Sequence, residues 1–532
     1  MSRRARATKS FLDRIGYDPE TTSIVFSADD FEDNEFDVNE LGALGHSVGK
    51  NTSIREIEFY GFTGHKAFSL YRPDHLGIPA REWEEFFRGL SESLSIETVT
   101  FWRCYLGSHI LNAFNIVNLG KASFKECEIT RQTASAVQRA CNLSCVVIDY
   151  SQFGDDVLTR DFIASLNHNN CLKHFELKTS DIGSRGCIAL GGILSDPHSI
   201  IHRLELAKCE VETLLLLQDG LVNSSSLRVL KIFELLGDGW QVVSEILTSP
   251  ATALQTLELE GNSIYDRSAF ELTRGLAVNR TLQELDLSGL QTISAAGWLA
   301  IVSSLRNPDL HLSRIQVGHN ENITDEVVSS LAQVFIAKKQ TIKVFDLGFC
   351  PNVTCVGWAS LSAAFREPMP RLTELYVGNA NFNDDALISF LGGFRNTPSL
   401  QVLGMFETYI RTKGWNAFSR CLCDRSSLRA IEESHHILRE IRLTESKVPV
   451  RVEKLLLMNS SGNPSEAARH KIVHYCKSID IQSLVNDQPQ MQLKLVPSVI
   501  SWLGKHPQKH NALYRFIRNE SHLLEDAVKK SH

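Results

Sequence analysis

The chain has 532 residues, 43% of them apolar, with 55 Lys and Arg against 62 Asp and Glu for a net charge of −7. A single closed core stops growing at about 250–300 residues, so this length requires either several domains or one that grows by repetition. A sequence pI near 6.2 gives no electrostatic footprint for phosphate backbones, which excludes bulk nucleic-acid binding.

The N-terminus, MSRRARATKS, carries Arg3, Arg4, Arg6 and Lys9 without an acid, and no apolar h-region follows it. It reads as a basic arm. Ile24 and Phe26 mark a degenerate strand, Asp29, Asp30, Glu32, Asp33, Glu35 and Asp37 form a solvated acidic surface, and a helix is predicted around Val38–Val48. Residues 1–50 are therefore expected to be an N-terminal arm and cap. No apolar run approaches the ~18 residues that span a bilayer, so the cytoplasm is the expected compartment, with the nucleus as the alternative. The eight N-x-[ST] sequons are chemically idle there.

From residue 51 the dominant signal is repetition. Cores of the form L-x-x-L-x-L recur as Leu254-Leu257-Leu259, Leu282-Leu285-Leu287, Leu312-Ile315-Val317, Ile342-Phe345-Leu347, Leu372-Leu375-Val377 and Leu400-Leu403-Met405. Weaker copies begin at Ile54, Ile96, Leu119, Leu143, Leu172, Ile201, Leu227 and Leu428, and from Leu143 onward the spacings are 29, 29, 26, 27, 28, 30, 30, 30, 28 and 28 residues. Each core has strand alternation, with its first, fourth and sixth side chains turned inward. Between cores, stretches such as 268–279, 326–337, 357–367 and 386–396 repeat their apolar residues at three and four, which is helical. A strand and a helix cannot bury their apolar faces alone, and stacking the units does so.

This pattern resembles the leucine-rich repeat in its longer, ribonuclease-inhibitor-like form. The resemblance implies a right-handed α/β solenoid, a horseshoe with a concave parallel sheet and convex helices. It covers roughly residues 21–434, and residues 51–434 are expected to be the repeat domain, with about 14 repeats. In such repeats the third residue after the last core position is Asn or Cys, which satisfies backbone groups of the turn leaving the strand. Here that place holds Cys104, Cys127, Ser151, Ser180, Cys209, Asn262, Asn320, Cys350 and Thr408, with departures at Leu235, Leu290 and Ala380. Four of the 12 cysteines are thereby explained as buried turn residues. The spacings Cys141-x3-Cys145, Cys350-x4-Cys355 and Cys421-x-Cys423 lack zinc-knuckle pairing, so no metal site is expected.

Positions 3, 5 and 7 of each core face the open side. Early repeats present mixed charge there, as in His174, Glu176 and Lys178 or Arg203 and Glu205. The middle turns acidic with Glu258, Glu260, Glu284 and Asp286, is interrupted by Arg314 and Gln316, and continues through Asp346, Glu374 and Tyr376. Parallel strands lie about 4.8 Å apart, so the first four acids would share a patch roughly one nanometre across. Their mutual repulsion, of order 1 kcal/mol per exposed pair, would be relieved by a basic ligand. Phe349, Tyr376 and Phe406 supply the aromatic anchors that usually dominate protein interfaces. The candidate protein-binding residues are accordingly Glu258, Glu260, Glu284, Asp286, Asp346, Phe349, Glu374, Tyr376 and Phe406.

After residue 434 the period is lost, although ILREIRL (437–443) can form one more irregular strand. Residues 435–532 are expected to be a mainly helical cap, with helices from Pro464 (Ser465 as N-cap), from Pro497 and over 512–528. No phosphate loop, H-E-x-x-H, G-x-S-x-G or kinase signature occurs, so no catalytic residue and no cofactor are expected. The function expected is a non-enzymatic scaffold, monomeric, that binds another protein with a basic surface on its concave face and binds neither membrane nor nucleic acid. The alternatives are a regulator of an enzyme, as GTPase activator or inhibitor, and a substrate adaptor of a ubiquitin-ligase complex. Ran GTPase-activating proteins have similar repeats, but their catalytic Arg and Asn find no counterpart here.

Overall fold

The computed structural model describes residues 21–27, 40–61, 80–104, 106, 110–140, 142–167, 171–379, 381–394, 397–444, 447–460 and 463–475. The basic arm, the acidic cluster at 29–37, Ala380 and the two helices expected beyond Pro497 lie outside these residues. The chain divides into two compact units, Met1–Ile323 and Thr324–His532.

In the first unit the strands are β1 (Ser23–Ser27), β2 (Glu56–Tyr60), β3 (Thr98–Trp102), β4 (Lys121–Lys125), β5 (Glu128–Ile129), β6 (Cys145–Asp149) and β7 (Gln152–Phe153). They continue with β8 (His174–Lys178), β9 (Arg203–Ala207), β10 (Val229–Phe233), β11 (Thr256–Glu258), β12 (Glu284–Asp286) and β13 (Arg314–Gln316). All but the small β5–β7 pair join one parallel sheet in chain order. The register never slips: the middle core position runs Ile24, Ile57, Val99, Ala122, Val146, Phe175, Leu204, Leu230, Leu257, Leu285, Ile315, each opposite the next. These side chains are buried under the helices, and a one-residue slip would turn every one of them to the other face.

Helices return the chain between strands, for example Asp156–Asn167, Gly183–Ser195, Val211–Val222 and Asp266–Val278. The helix expected at 38–48 occupies Leu41–Lys50. Between β3 and β4 the repeat is short, and Ile110–Asn115 forms a single 3-10 segment instead. The last core position of the first four strands is phenylalanine. Phe26, Phe59, Phe101 and Phe124 stack in a buried column at 5.8, 5.7 and 5.7 Å between ring centroids, each contact worth about 1 kcal/mol beyond the area it buries.

The turn leaving each strand follows the expected rule. The thiols of Cys104 and Cys127 donate to the carbonyls of Phe59 (3.0 Å) and Phe101 (3.3 Å). Asn262 Nδ2 donates to the carbonyls of Ile232 and Leu259, both at 2.7 Å, while its Oδ1 accepts from the Leu235 amide at 2.8 Å. That last bond serves the repeat in which leucine replaces the usual polar residue. The residue just before this position is left-handed. Arg103, Glu126, Tyr150, Thr179, Lys208, Glu234, His319, Phe349 and Glu407 all have φ between 48 and 58°.

The second unit continues the motif with β14 (Val344–Asp346), β15 (Glu374–Val377), β16 (Val402–Met405) and β17 (Glu440–Arg442), all parallel, with Phe345, Leu375, Leu403 and Ile441 in register. Asp325, the first residue of helix Asp325–Lys338, ties the next repeat to its own: its carboxylate accepts from the Thr354 amide (2.8 Å), the Thr354 hydroxyl (2.6 Å) and the Gly357 amide (3.0 Å). Ala380, at the turn place of its repeat, departs from the sequence rule. Asn379 does the work instead, donating to the Cys350 and Val353 carbonyls.

The end of this unit is built from helices Thr412–Leu422, Leu428–Glu432, Val450–Asn459 and Pro464–Tyr475. The last is capped by Asn463, whose Oδ1 accepts from the Ser465 amide at 3.0 Å, and not by Ser465 as expected. Pro464, pre-set at the first helical position, moves the cap one place upstream of it. Lys471 is fully buried here, and its Nζ donates to the carbonyls of Leu422 (2.6 Å) and His435 (3.0 Å) and to His436 Nδ1 (3.1 Å). Among the described residues no helix is long and apolar enough to cross a membrane.

Candidate functional site

The strands carry one row of side chains into the core and leave alternate ones on the open face of the sheet. In the first unit that face holds the acidic quartet. Glu258 and Asp286 are neighbours in register, and Glu284 lies beside Arg314. Glu258 pairs with Lys231 of β10, and Glu284 lies 4.0 Å from the Arg314 guanidinium. Asp286 is buried and its Oδ1 accepts from the Ser288 amide at 2.9 Å. Glu260, just past β11, is exposed, and partial burial together with the Asp286 and Glu258 charges pushes its carboxyl above the usual range. The four acids thus form a Glu260–Asp286 pair flanked by two ion pairs.

In the second unit the open face is aromatic. The Phe349 and Phe406 rings stack at 5.4 Å with an 11° tilt, and Tyr376 stacks on Phe406 at 6.0 Å and 5°. All three are half-buried. Phe349 occupies the left-handed turn position after β14. Gly404 is opposite Tyr376 in register, and a Cβ there would strike the Tyr376 ring. The tyrosine lies flat because glycine is beneath it. Its hydroxyl donates to Glu374 Oε2 at 2.7 Å and accepts from Arg442 Nη1 at 2.6 Å. Burial and the Glu374 carboxylate push the phenol up to about 12. Asp346, half-buried, accepts from the Gly348 amide at 2.8 Å.

Arg442 escapes the sequence pattern because it belongs to the irregular strand β17, whose alternation was the only signal available. Its guanidinium sits 5.7 Å from the Tyr376 ring centroid and bonds Glu440 at 2.7 Å.

The mixed-charge residues His174, Glu176, Lys178, Arg203 and Glu205, expected on the open face of the first unit, come together there with Cys145, which the sequence pattern did not place among them. One register row runs Lys121, Cys145, His174, Arg203 across β4, β6, β8 and β9, and the next places Glu176 beside Glu205. His174 Nδ1 is 3.4 Å from Cys145 Sγ, and its Nε2 is 3.0 Å from Glu176 and 3.7 Å from Glu205. Lys178 Nζ is 2.6 Å from Glu176, and Arg203 pairs with Glu205. Burial opposes a charge on His174, but the contacts with Cys145, Glu176 and Glu205 outweigh it and push the imidazole up to about 10. Burial raises Glu205, yet bonds from His174 and Arg203 bring it down to about 2. Cys145, His174 and Glu176 can direct ligand atoms to within 4.8 Å of one another.

Sheet, turn and helix, repeated in fixed register, define a leucine-rich-repeat protein. The sequence comparisons agree. A family model described as "Leucine Rich repeat" matches residues 168–191. The chain is 25% identical over 290 residues to NACHT, LRR and PYD domains-containing protein 14 of Homo sapiens, the match covering 53% of this chain and 25% of that protein. It is 28% identical over 280 residues to ribonuclease inhibitor of Sus scrofa, covering 46% of this chain and 60% of that protein. A chain of the Rad7 and Elc1 complex of yeast aligns with a TM-score of 0.42 at 14% identity, over 77% of this chain and 91% of that one. The repeat is of the ribonuclease-inhibitor-like type. The match spans a quarter of the length of the first of these two curated relatives and 60% of the second.

Proposed function

We propose that the protein is a non-catalytic scaffold that docks other proteins on the open faces of its strands: in the second unit through Phe349, Tyr376 and Phe406 with Glu374 and Asp346, and in the first, taken by itself, through the acids Glu258, Glu260, Glu284 and Asp286. The observation that carries the reading is the aromatic stack. Three half-buried rings lie parallel, Tyr376 on β15 and Phe349 and Phe406 just past β14 and β16, and Tyr376 is fixed by a glycine beneath and by hydrogen bonds from both sides. Held this way, the rings lose little conformational entropy when a partner covers them, and aromatic side chains are the residues that most often dominate interface energies. The Glu260–Asp286 pair favours a basic partner surface, acting mainly on encounter rate and choice of partner. Quantitative affinity capture with wild type, Phe406→Ala and a Glu260→Lys/Asp286→Lys form tests it. Partners of the second unit should weaken with Phe406→Ala and partners of the first should lose rate with the charge reversal, and identical recovery by all three overturns the reading.

Relation to ribonuclease inhibitor favours a second reading, in which the docked protein is an enzyme whose active site becomes covered. Loss of that enzyme's turnover on addition of the chain separates the two.

A further inference from the structure

The aromatic stack of the second unit sits among more acid than base. Strands β14 to β17 carry three carboxylates, Asp346, Glu374 and Glu440, against one guanidinium, Arg442. The chain itself engages two of the three: Glu374 accepts from the Tyr376 hydroxyl and Glu440 from Arg442, both at 2.7 Å. Asp346 stands at the opposite end of the register row Asp346, Tyr376, Gly404, Arg442. Its carboxylate meets the stack. The point where a Cβ would stand on Gly348 is 3.3 Å from Asp346 Oδ1 and 3.4 Å from Phe406 Cδ2, so carboxylate and ring edge converge on a place that glycine leaves unfilled. Phe349 comes next in the chain, its ring stacked on Phe406 at 5.4 Å, and offset stacking leaves part of each ring face uncovered. At the far end of the same stack the chain already lays a guanidinium against an aromatic ring. Arg442 is 5.7 Å from the Tyr376 centroid and donates to the Tyr376 hydroxyl at 2.6 Å. Asp346 with Phe349 and Phe406 repeats that pairing of ring and oxygen acceptor at the near end. A planar guanidinium can lie on a ring face and set its fork on a carboxylate at once, which the compact ammonium of lysine cannot.

We propose that the stack of the second unit is the seat of an arginine side chain of the docked protein, its guanidinium lying against Phe349 and Phe406 with its fork on Asp346. The inference rests on the docking reading of that unit and names the group the unit takes. The rings supply contact area, and Asp346 supplies charge and direction. Glu374 and Arg442 hold Tyr376 flat from either side, so the seat is formed before the arginine arrives and little is lost in ordering it. The surplus of acid on these strands selects a cationic group over a neutral one of the same shape.

The test is a fluorine NMR titration of the full chain labelled with 3-fluorotyrosine, in which Tyr376 is one of 10 tyrosines and is assigned by the signal lost in Tyr376→Phe. The probes are acetyl-Gly-Arg-Gly-amide and the same peptide with lysine or with citrulline, which keeps the shape of arginine without its charge. The arginine peptide should shift the Tyr376 signal saturably. The citrulline peptide should bind roughly tenfold more weakly, as for the loss of one charge-assisted contact, and the lysine peptide should fall between the two. Asp346→Asn should weaken the arginine peptide by a similar factor, and asparagine can still accept from the Gly348 amide, so the turn is kept. A Tyr376 signal that the arginine peptide leaves unmoved overturns the proposal. So does an equal response to citrulline or to lysine, or an Asp346→Asn form that binds as the wild type does. Any of these results beside a Phe406→Ala form that still loses partners refutes the arginine and leaves docking at the stack standing, whereas a Phe406→Ala form that recovers partners as the wild type does refutes the docking itself.

Discussion

Acid should loosen the C-terminal end of the second unit well before it touches the first. His435 and His436 are both buried and wired as neutral rings. His435 Nε2 donates to the Thr397 carbonyl at 3.0 Å while its Nδ1 accepts from the Leu438 amide at 3.2 Å. His436 Nδ1 accepts from Lys471, and its Nε2 donates to the Glu432 carbonyl at 3.2 Å. Neither has an acceptor for a second proton. Burial, helped by the Lys471 charge, lowers both from 6.5 to about 4. Between those values the unfolded chain takes up protons that the fold refuses, so stability is unaffected above pH 6.5 and falls as the pH drops toward 4. At 1.36 kcal/mol per pKa unit the loss approaches about 3 kcal/mol for each ring, a large part of a domain's 5–15 kcal/mol. Lys471, lowered by burial from 10.5 to about 7, has the same sign in a higher window. His174 runs the other way: raised to about 10, it contributes stability that is complete below 6.5 and lost as the pH rises toward 10. Hydrogen exchange corrected for intrinsic rates should therefore show, from pH 7 to 5, falling protection over residues 435–475 and steady protection in β8 and β9. Equal protection at both pH values would refute the reasoning, as would an undiminished acid response in His435→Gln/His436→Gln.

Three further outcomes follow from single contacts. Asn262→Ala strands two carbonyls and one amide in the core, so urea unfolding should show a loss of about 3 kcal/mol, and Asn262→Cys should cost less because Cys104 already performs this task. Gly404→Ala should displace Tyr376, seen as a changed tyrosine environment in near-ultraviolet dichroism, while the far-ultraviolet spectrum stays as it is. Asp286→Asn should bring the Glu260 carboxyl back toward its ordinary range in a carbon-detected NMR titration, because one of the charges that raises it is gone.

The repeat was legible because its inward residues obey two rules at once, a period of two within the strand and a period near 28 along the chain. Even β1 and β17, with only Ile24–Phe26 and Ile441 to announce them, took the register that the pattern implies. Polar turn residues were legible for the same reason, down to cysteine doing the work of asparagine. What the pattern could not carry was partnership between rows. Glu258 reads as one of four acids along the chain, yet its nearest charge is Lys231 from the strand before. Cys145 reads as half of a cysteine pair, and its chemical neighbour is His174 on the next strand. Arg442 and Lys471 lie beyond the last regular repeat, where no period says which strand or helix they will meet. Asn463 was passed over because Ser465 looked the better cap until Pro464 was placed.

The left-handed residue after each strand bears on how such a molecule can change. Nine different stations in the chain hold Arg, Glu, Tyr, Thr, Lys, His or Phe in one and the same backbone conformation, although most side chains enter it at some expense. The bend is imposed by the turn around it and is indifferent to which side chain is present. Such stations, just past the strands in each unit, are therefore places where recognition chemistry can be rewritten while the architecture stays put, and Phe349 is one of them.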